Sequence, residues 1–200
     1  MTTNEKKTKI YTRCGDLGET GLLQGPRIGK DHPRIELLGA LDELGAALGY
    51  VASLREVEGS LVDVLTRLQA RLAIVGAETA SLDPKVSGVK VVSDASIKSL
   101  ERAIDKTQER APQTSAFVAS GGTPGAAALH LARTTCRRAE RAAVALLRYD
   151  PKFSPRVVAW LNRLGDLLHL LALAENARAG REETRIDFHA AETEFDEDLL

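Results

Sequence analysis

Two leucine-rich stripes in the first half of the chain constrain its fold most strongly. In each stripe, apolar residues follow one another at alternating steps of four and three. The first stripe comprises Leu37, Leu41, Leu44, Leu48 and Val51, and the second comprises Leu61, Leu65, Leu68, Leu72 and Val75. This spacing places the members of each stripe on one face of an α-helix, which must then be buried against other helices. The stripes therefore predict a helical bundle.

Start and stop signals indicate three more helices. Ser93 is typical of an N-cap and begins the third, shorter helix. Thr-Pro at 123–124 and Ser-Pro at 154–155 begin the fourth and fifth helices, since proline suits the first helical position. The fourth helix reaches Tyr149, and Gly180 supplies the stop of the fifth. The fold predicted is an all-α, up-and-down bundle of five helices.

The chain divides into three parts along its length. Residues 1–33 hold glycines and prolines without a sustained period and form a loop-rich N-terminal arm of the same domain. Residues 34–180 form the helical-bundle domain. Residues 181–200 are acidic, with little apolar surface to bury, and we expect this tail to be disordered.

Composition and charge exclude several classes of protein. The 200 residues, 44% of them hydrophobic, suffice for one core without metal or disulfide support. The net charge of −1 lacks the basic excess of a nucleic-acid binder. No apolar stretch follows the early lysines, so we expect no signal peptide and no membrane helix. Cys14 and Cys136 have no metal-ligand spacing, and two ordinary thiols suit the cytoplasm.

Charged residues crowd one face of the fourth predicted helix. At 100° per residue, His130, Arg133, Arg137, Glu140 and Arg141 fall within one arc. Guanidinium groups at this density repel one another unless an anion compensates them, and their planar shape suits phosphate oxygens. A polyphosphate is the natural candidate. The alternative is a solvated helix face on which Glu140 pairs with its neighbours.

Polar residues also occupy positions in the predicted interior. Asn162, Asp166 and His169 form a stripe beside the leucines of the last helix. Asn162 is suited to hydrogen-bond a ribose or a base, Asp166 to orient an arginine, and His169 to a structural role; the alternative is a solvent-facing stripe. Asp42 lies on a glycine-bearing face of the first helix, where a buried carboxylate requires an arginine partner.

The arm has the composition of an anion-binding loop. Glycines between residues 12 and 21 let backbone N–H groups curl around an anion, while Thr12, Thr20 and Lys30 add donors. The arm is neither a P-loop nor a dinucleotide fingerprint, because both spacings are absent. No nucleophile with an adjacent base and no set of metal ligands emerges from the sequence. A reaction that needs no protein nucleophile is therefore favoured.

Four segments in order resemble the ATP:corrinoid adenosyltransferases of the PduO type. They are KIYTRCGDLGETGLL, LDELGAALG, ARTTCRRAER and WLNRLGD, and the likeness extends from Lys9 to Gly180. The resemblance implies a homotrimer with ATP at each subunit interface and the corrinoid packed beside it. It also implies transfer of the 5′-deoxyadenosyl group of Mg²⁺-bound ATP to cob(I)alamin, with release of triphosphate.

The resemblance further implies the residues of the site. Those bound to ATP would be Thr12, Arg13, Cys14, Gly15, Thr20, Gly21, Lys30, Arg137, Arg138, Glu140, Arg141 and Asn162. Phe117 and Asp166 would lie at the corrinoid. Arg133, Arg137 and Asp42 would support catalysis, with Arg133 paired to Asp42 across the interface. No protein metal ligands are implied.

Three positions depart from the family pattern, and other functions stay open. Gly45 replaces an asparagine, Ser120 a proline and Gly165 a serine, which bears on the corrinoid side of the site. A carrier that delivers adenosylcobalamin, a regulatory ATP sensor, or an ATP enzyme without a corrinoid substrate are the alternatives. A corrinoid reductase and an adenosylcobalamin-dependent client enzyme are the partners expected besides further copies of the chain.

Overall fold

The computed structural model describes residues 10–112 and 116–188, which fold into a helical bundle with a short hairpin. In chain order the elements are β1 (Glu19–Gly21), β2 (Arg27–Gly29), α1 (Pro33–Ser53), α2 (Gly59–Ala80), α3 (Pro84–Ser87), α4 (Asp94–Gln108), α5 (Pro124–Tyr149) and α6 (Pro155–Arg178). Helix α5 packs against both α1 and α6, while α2 covers α1 and α4 covers α6. The mainly helical class is as predicted.

Two details of the predicted architecture need correction. The described residues form six helices, not five, because the Asp83 side chain accepts a hydrogen bond from the Lys85 N–H and caps the four-residue helix α3. The arm is also not purely loop, since β1 and β2 pair antiparallel with Thr20 opposite Ile28. Strands of three residues are too short to show a clear alternation of apolar and polar residues, so no period indicated them.

The predicted helix signals are confirmed by cap geometry. Ser93 and Ser96 exchange hydrogen bonds in a capping box at the start of α4. The Thr123 hydroxyl accepts a hydrogen bond from the Ala126 N–H and caps α5. Gly180 follows α6 with a φ of 66°, a conformation that favours glycine. These signals are local in sequence, which is why they are readable without the fold.

The core is built from leucine stripes packed against a face of small residues on α5. All ten stripe residues of α1 and α2 are buried, as predicted. On α5 the fully buried side chains include Ala132, Cys136, Ala139 and Ala143. Because these side chains are short, neighbouring helices can approach α5 closely. Helix α6 is long and apolar enough by composition to cross a membrane, but 56% of its apolar window is buried inside the bundle.

A buried arginine fastens the arm end of the bundle. The Arg34 guanidinium donates to the carbonyl oxygens of Thr79 at 2.7 Å and Ser81 at 3.0 Å. It also pairs with the Asp150 carboxylate at 2.6 Å, so the start of α1 is joined to the ends of α2 and α5. The Leu23 N–H donates to the Ala80 carbonyl oxygen at the same end, which attaches the hairpin to the bundle.

The beginning of the acidic tail has a defined course. The Ala119 N–H donates to the Thr184 carbonyl oxygen at 2.8 Å, and the Ile186 N–H donates to the Phe117 carbonyl oxygen at 2.9 Å. The expected disorder therefore does not extend to residues 181–188, because their backbone groups find partners in the segment before α5. The remainder of the predicted tail, 189–200, lies outside the described residues.

Candidate functional site

A cleft of about 500 Å³ lies between the second half of α5 and the first half of α6. Its lining residues are Arg137, Glu140, Arg141, Val144, Ala145, Arg148 and Asn162. Three guanidinium groups against one carboxylate make the cleft basic, although the chain as a whole is slightly acidic. Such a cleft suits a ligand with several negatively charged oxygens.

The helical repeat of α5 brings the arginines of the cleft together. Arg137, Arg141 and Arg148 are separated by four and seven residues, so all three project from one side of the helix. Arg148 was missed by the sequence argument, although its position seven residues beyond Arg141 was the available signal. The opposite side of α5 is the face of small residues, which leaves the arginines to point away from the core.

Asn162 reaches the cleft from α6 and contacts Glu140 on α5. Its Nδ2 donates to Glu140 Oε1 at 3.0 Å. Two of the residues predicted to contact the nucleotide therefore lie side by side, and the polar stripe of α6 meets the charged face of α5. Gly165 lies nearby, where an added Cβ would be 3.9 Å from Arg137 Cγ. Its lack of a side chain leaves room beside the stem of that arginine.

Arg138 lies outside this cleft in the single chain. Its guanidinium forms an ion pair with Glu43 on α1. Position 138 is one residue, or 100°, away from Arg137, which turns its side chain toward α1 and away from α6. The family resemblance placed Arg138 with Arg137 at ATP, whereas the charged arc drawn on the helix left it out. Glu43 was missed.

The arm residues form a compact loop around the β1–β2 hairpin. The Arg27 guanidinium donates to the Cys14 carbonyl oxygen, and the Lys30 N–H donates to the Gly18 carbonyl oxygen at 2.8 Å. Lys30 Nζ lies 3.1 Å from the position of a Cβ built on Gly15, so the lysine ammonium adjoins the glycine loop. Arg13 has a φ of 61°, which marks a tight local turn.

The arm and the cleft are separate within one chain. Among the predicted arm residues that the structure describes, none lines the cleft between α5 and α6. Those residues are Thr12, Arg13, Cys14, Gly15, Thr20, Gly21 and Lys30. The hairpin instead lies beside the C-terminal end of α2, where the Leu23 N–H donates to the Ala80 carbonyl oxygen. The two predicted halves of the nucleotide site are therefore not joined by folding of a single copy.

Asp42 is exposed within one copy of the chain, so burial of its carboxylate would require an interface. On α1 the neighbouring Leu41 faces the core, so residue 42 is turned outward. Arg133 is half-buried and its Nε has no hydrogen-bond partner within the described chain. Burial, and then the nearby Arg137 cation, lower the pKa of the Arg133 guanidinium. The two predicted partners do not form an ion pair in one copy, and their pairing across an interface stays a prediction.

The predicted corrinoid-side residues, Phe117 and Asp166, do not line the cleft. Phe117 is 71% exposed and contacts the Phe188 ring edge-on, with ring centroids 5.6 Å apart. Asp166 is exposed on α6. Phe188 was missed because it belongs to the segment predicted to be disordered. Two aromatic rings on an exposed surface form an apolar patch suited to a partner or ligand.

A buried amide that the sequence argument missed holds this end together. Asn176 on α6 accepts a hydrogen bond from the Thr123 N–H at 2.9 Å and donates to the Gly121 carbonyl oxygen at 3.1 Å. Its Nδ2 also donates to the Glu183 carboxylate at 3.0 Å. Gly122 has a φ of 99°, and a Cβ there would lie 2.1 Å from the Asn176 amide. A polar residue on the apolar face of α6 was the signal that could have found it.

His130 lies in the interior and not in the cleft. Its angular position on α5 was predicted correctly, but α6 covers this end of the arc, where the His169 ring lies 5.9 Å from the His130 ring. Neither nitrogen of His130 has a hydrogen-bond partner in the described chain. Burial, then Arg133 and His169, lower the pKa of His130 to about 4. Burial and Arg133 also lower the pKa of His169, so both rings are neutral at pH 7.

The two cysteines differ sharply in environment. Cys136 is fully buried, its Sγ donates to the Leu161 carbonyl oxygen at 3.3 Å, and burial raises the pKa of its thiol to about 12. Cys14 is exposed in the arm. In the part of the chain that the structure describes, no cluster of three or more His, Cys, Asp and Glu side chains is arranged to hold a metal ion.

The fold and the cleft together define a helical-bundle protein with a basic site for a phosphorylated ligand. A family described as cobalamin adenosyltransferase matches residues 10–175, and the chain belongs to this family. Among the relatives, the corrinoid adenosyltransferase of Bacillus subtilis is 36% identical over 86% of this chain and 89% of its own length. The corrinoid adenosyltransferase PduO of Salmonella typhimurium is 39% identical over 85% of this chain.

The coverage of the relatives is uneven, whereas the structural match is nearly complete. The chain spans about half the length, 50%, of the PduO relatives from Salmonella typhimurium and Citrobacter freundii. A variant PduO-type ATP:corrinoid adenosyltransferase from Lactobacillus reuteri, complexed with cobalamin and ATP, superimposes with a TM-score of 0.83 at 31% identity. That match covers 90% of this chain and 97% of the other.

The buried histidine predicts an acid-sensitive fold. Because the pKa of His130 is lower in the folded than in the unfolded chain, the unfolded state binds more protons below about pH 6.5. Its contribution to the free energy of unfolding is complete above pH 6.5 and is lost as the pH falls toward 4. We expect His130→Leu to flatten the stability profile across this window in urea titrations. An unchanged slope in the variant would contradict the assignment.

Proposed function

We propose that the chain transfers the 5′-deoxyadenosyl group of ATP to the cobalt of a reduced corrinoid such as cob(I)alamin. The observation that carries the proposal is the basic cleft, because it joins Arg137 and Arg141 of one family segment to Asn162 of another. Membership of the cobalamin adenosyltransferase family over residues 10–175 supports the same reaction. The complex of the Lactobacillus reuteri protein with cobalamin and ATP supports both substrates.

The proposed reaction is a single displacement at carbon. The electron pair on cob(I) attacks the ribose 5′ carbon and forms the cobalt–carbon bond. The bond from this carbon to the 5′ oxygen breaks, and triphosphate leaves with that electron pair. The corrinoid supplies the nucleophile, so the protein needs neither a general base nor a nucleophile of its own. This agrees with the lack of such a group in the sequence.

The protein's part would be positioning and charge compensation. Negative charge grows on the leaving triphosphate, and Arg137, Arg141 and Arg148 already converge on the cleft. Preorganised cations cost no rearrangement at the moment of reaction, which is the basis of electrostatic catalysis. Mg²⁺ would arrive bound to the phosphates of ATP. Asn162 would hold the nucleoside end in line with the attacking cobalt.

A second copy of the chain would complete each site. The arm donors, including Lys30, lie apart from the cleft in one copy, and Asp42 and Arg133 each lack the other as partner. A homotrimer in which the arm of one subunit covers the cleft of the next supplies both contacts. The corrinoid would then lie near Phe117 and Asp166. We also propose that the protein acts in the cytoplasm, with a corrinoid reductase and an adenosylcobalamin-dependent client enzyme as partners.

The experiment that tests the function is an anaerobic assay with chemically reduced cobalamin and Mg-ATP. We expect loss of cob(I) absorbance with stoichiometric triphosphate. Arg137→Ala should lower kcat by about 10²–10³-fold, by analogy with a lost oxyanion donor. Arg67→Ala, which removes an exposed arginine of α2, is the matched control. Corrinoid binding without turnover would point to a carrier, and an unchanged rate in Arg137→Ala would reject the role of the cleft.

Chemical modification of Cys14 tests the role of the arm separately. If the arm closes over ATP, Mg-ATP should slow alkylation of this exposed thiol by iodoacetamide severalfold. Cys136, buried with its thiol pKa raised to about 12, should stay unmodified and serves as the internal control. Equal alkylation of Cys14 with and without saturating Mg-ATP would show that the arm is not part of the nucleotide site.

A further inference from the structure

The amide of Asn162 is held from two sides by charged groups. Its Nδ2 donates to Glu140 Oε1 at 3.0 Å, and its Oδ1 accepts from an Arg163 terminal nitrogen at 2.8 Å. A carboxylate can only accept and a guanidinium can only donate, so the two neighbours leave the amide one orientation. The oxygen must face Arg163 and the nitrogen must face Glu140.

Arg163 is itself fixed by a residue of α4. Its Nε donates to Glu101 Oε1 at 3.2 Å, while a terminal nitrogen of the same guanidinium donates to Asn162 Oδ1. A chain of hydrogen bonds thus runs from Glu101 on α4 through two residues of α6 to Glu140 on α5. Arg163 does not line the cleft. Any effect it has on a ligand there must pass through Asn162.

The same seam between α4 and α6 contains a second ion pair at equivalent positions, which is bidentate. Arg156 Nε donates to Asp94 Oδ1 at 2.7 Å. Both members lie seven residues before their counterparts Arg163 and Glu101, so the two bridges are repeated two helical turns apart. Arg156 also does not line the cleft. Its bridge has the same structural role without a link to Asn162, which makes Arg156 a matched control.

We propose that Arg163, held by Glu101, is a positioning residue that sets the amide orientation of Asn162 for the nucleotide. The inference rests on the proposed function, because only that function assigns ATP to the cleft. Without the guanidinium, only the Glu140 contact orients the Asn162 amide, and the oxygen presented to a ribose or base is held less firmly. Preorganised donors bind better because no ordering is required when the ligand arrives.

The test compares Arg163→Met with Arg156→Met in ATP calorimetry and in the adenosyl-transfer assay. We expect Arg163→Met to raise the Kd and KM for ATP about three- to tenfold, the size of one ordinary hydrogen bond. The kcat at saturating ATP should change less. Arg156→Met should leave both constants near wild type, although it removes the α4–α6 bridge with more hydrogen bonds and should lower Tm at least as much as Arg163→Met. Arg163→Lys should restore part of the affinity.

A double variant shows whether the effect passes through the amide. In Asn162→Ala, adding Arg163→Met should cause no further loss of ATP affinity, because the group it positions is already absent. Equal ATP constants for the two methionine variants, or additive losses in the double variant, would overturn the inference while leaving the proposed function intact. A wild-type chain that neither binds ATP nor transfers the adenosyl group would overturn both.

Discussion

The close packing of α5 through its small side chains is the constraint on which the rest of the structure depends. Ala132, Cys136, Ala139 and Ala143 are fully buried, so α5 lies close to its neighbours and has no room for a long side chain on that face. Long polar side chains are therefore restricted to the other faces of α5. This is how one helix provides both the centre of the core and the basic wall of the cleft.

Buried polar groups then fix the two ends of the bundle relative to this helix. Arg34 joins the ends of α1, α2 and α5 through three hydrogen bonds, and Asn176 joins α6 to the turn before α5 and to the tail. Unpaired polar groups in such positions are costly, so each is tied to one geometry. Arg34 fixes the end of the bundle to which the arm attaches. Asn176 fixes the two segments that carry Phe117 and Phe188.

Local signals explain what the sequence made predictable. The leucine stripes, the caps Ser93 and Thr123, and the arginine arc of α5 all depend on residues a few positions apart. Arg138, Asn162 and Asn176 also find partners on other elements, namely Glu43, Glu140 and Gly121, and no spacing rule reveals these. His130 shows how far helix periodicity can predict a residue's environment. Its angle on α5 was predicted correctly, but its burial depends on how far α6 extends along α5. The short strands and the pairing of residues 181–188 were missed for the same reason.

In the proposed homotrimer, the arm of one copy completes the cleft of another. The most direct test mixes two defective variants, Lys30→Ala in the arm and Arg137→Ala in the cleft, denatures them together and lets them refold as one population. A shared site predicts recovery of about a quarter of wild-type adenosyl transfer, because random assembly pairs an intact arm with an intact cleft at that frequency. A mixture that co-assembles yet stays as inactive as its components would contradict the claim and place each site within a single chain.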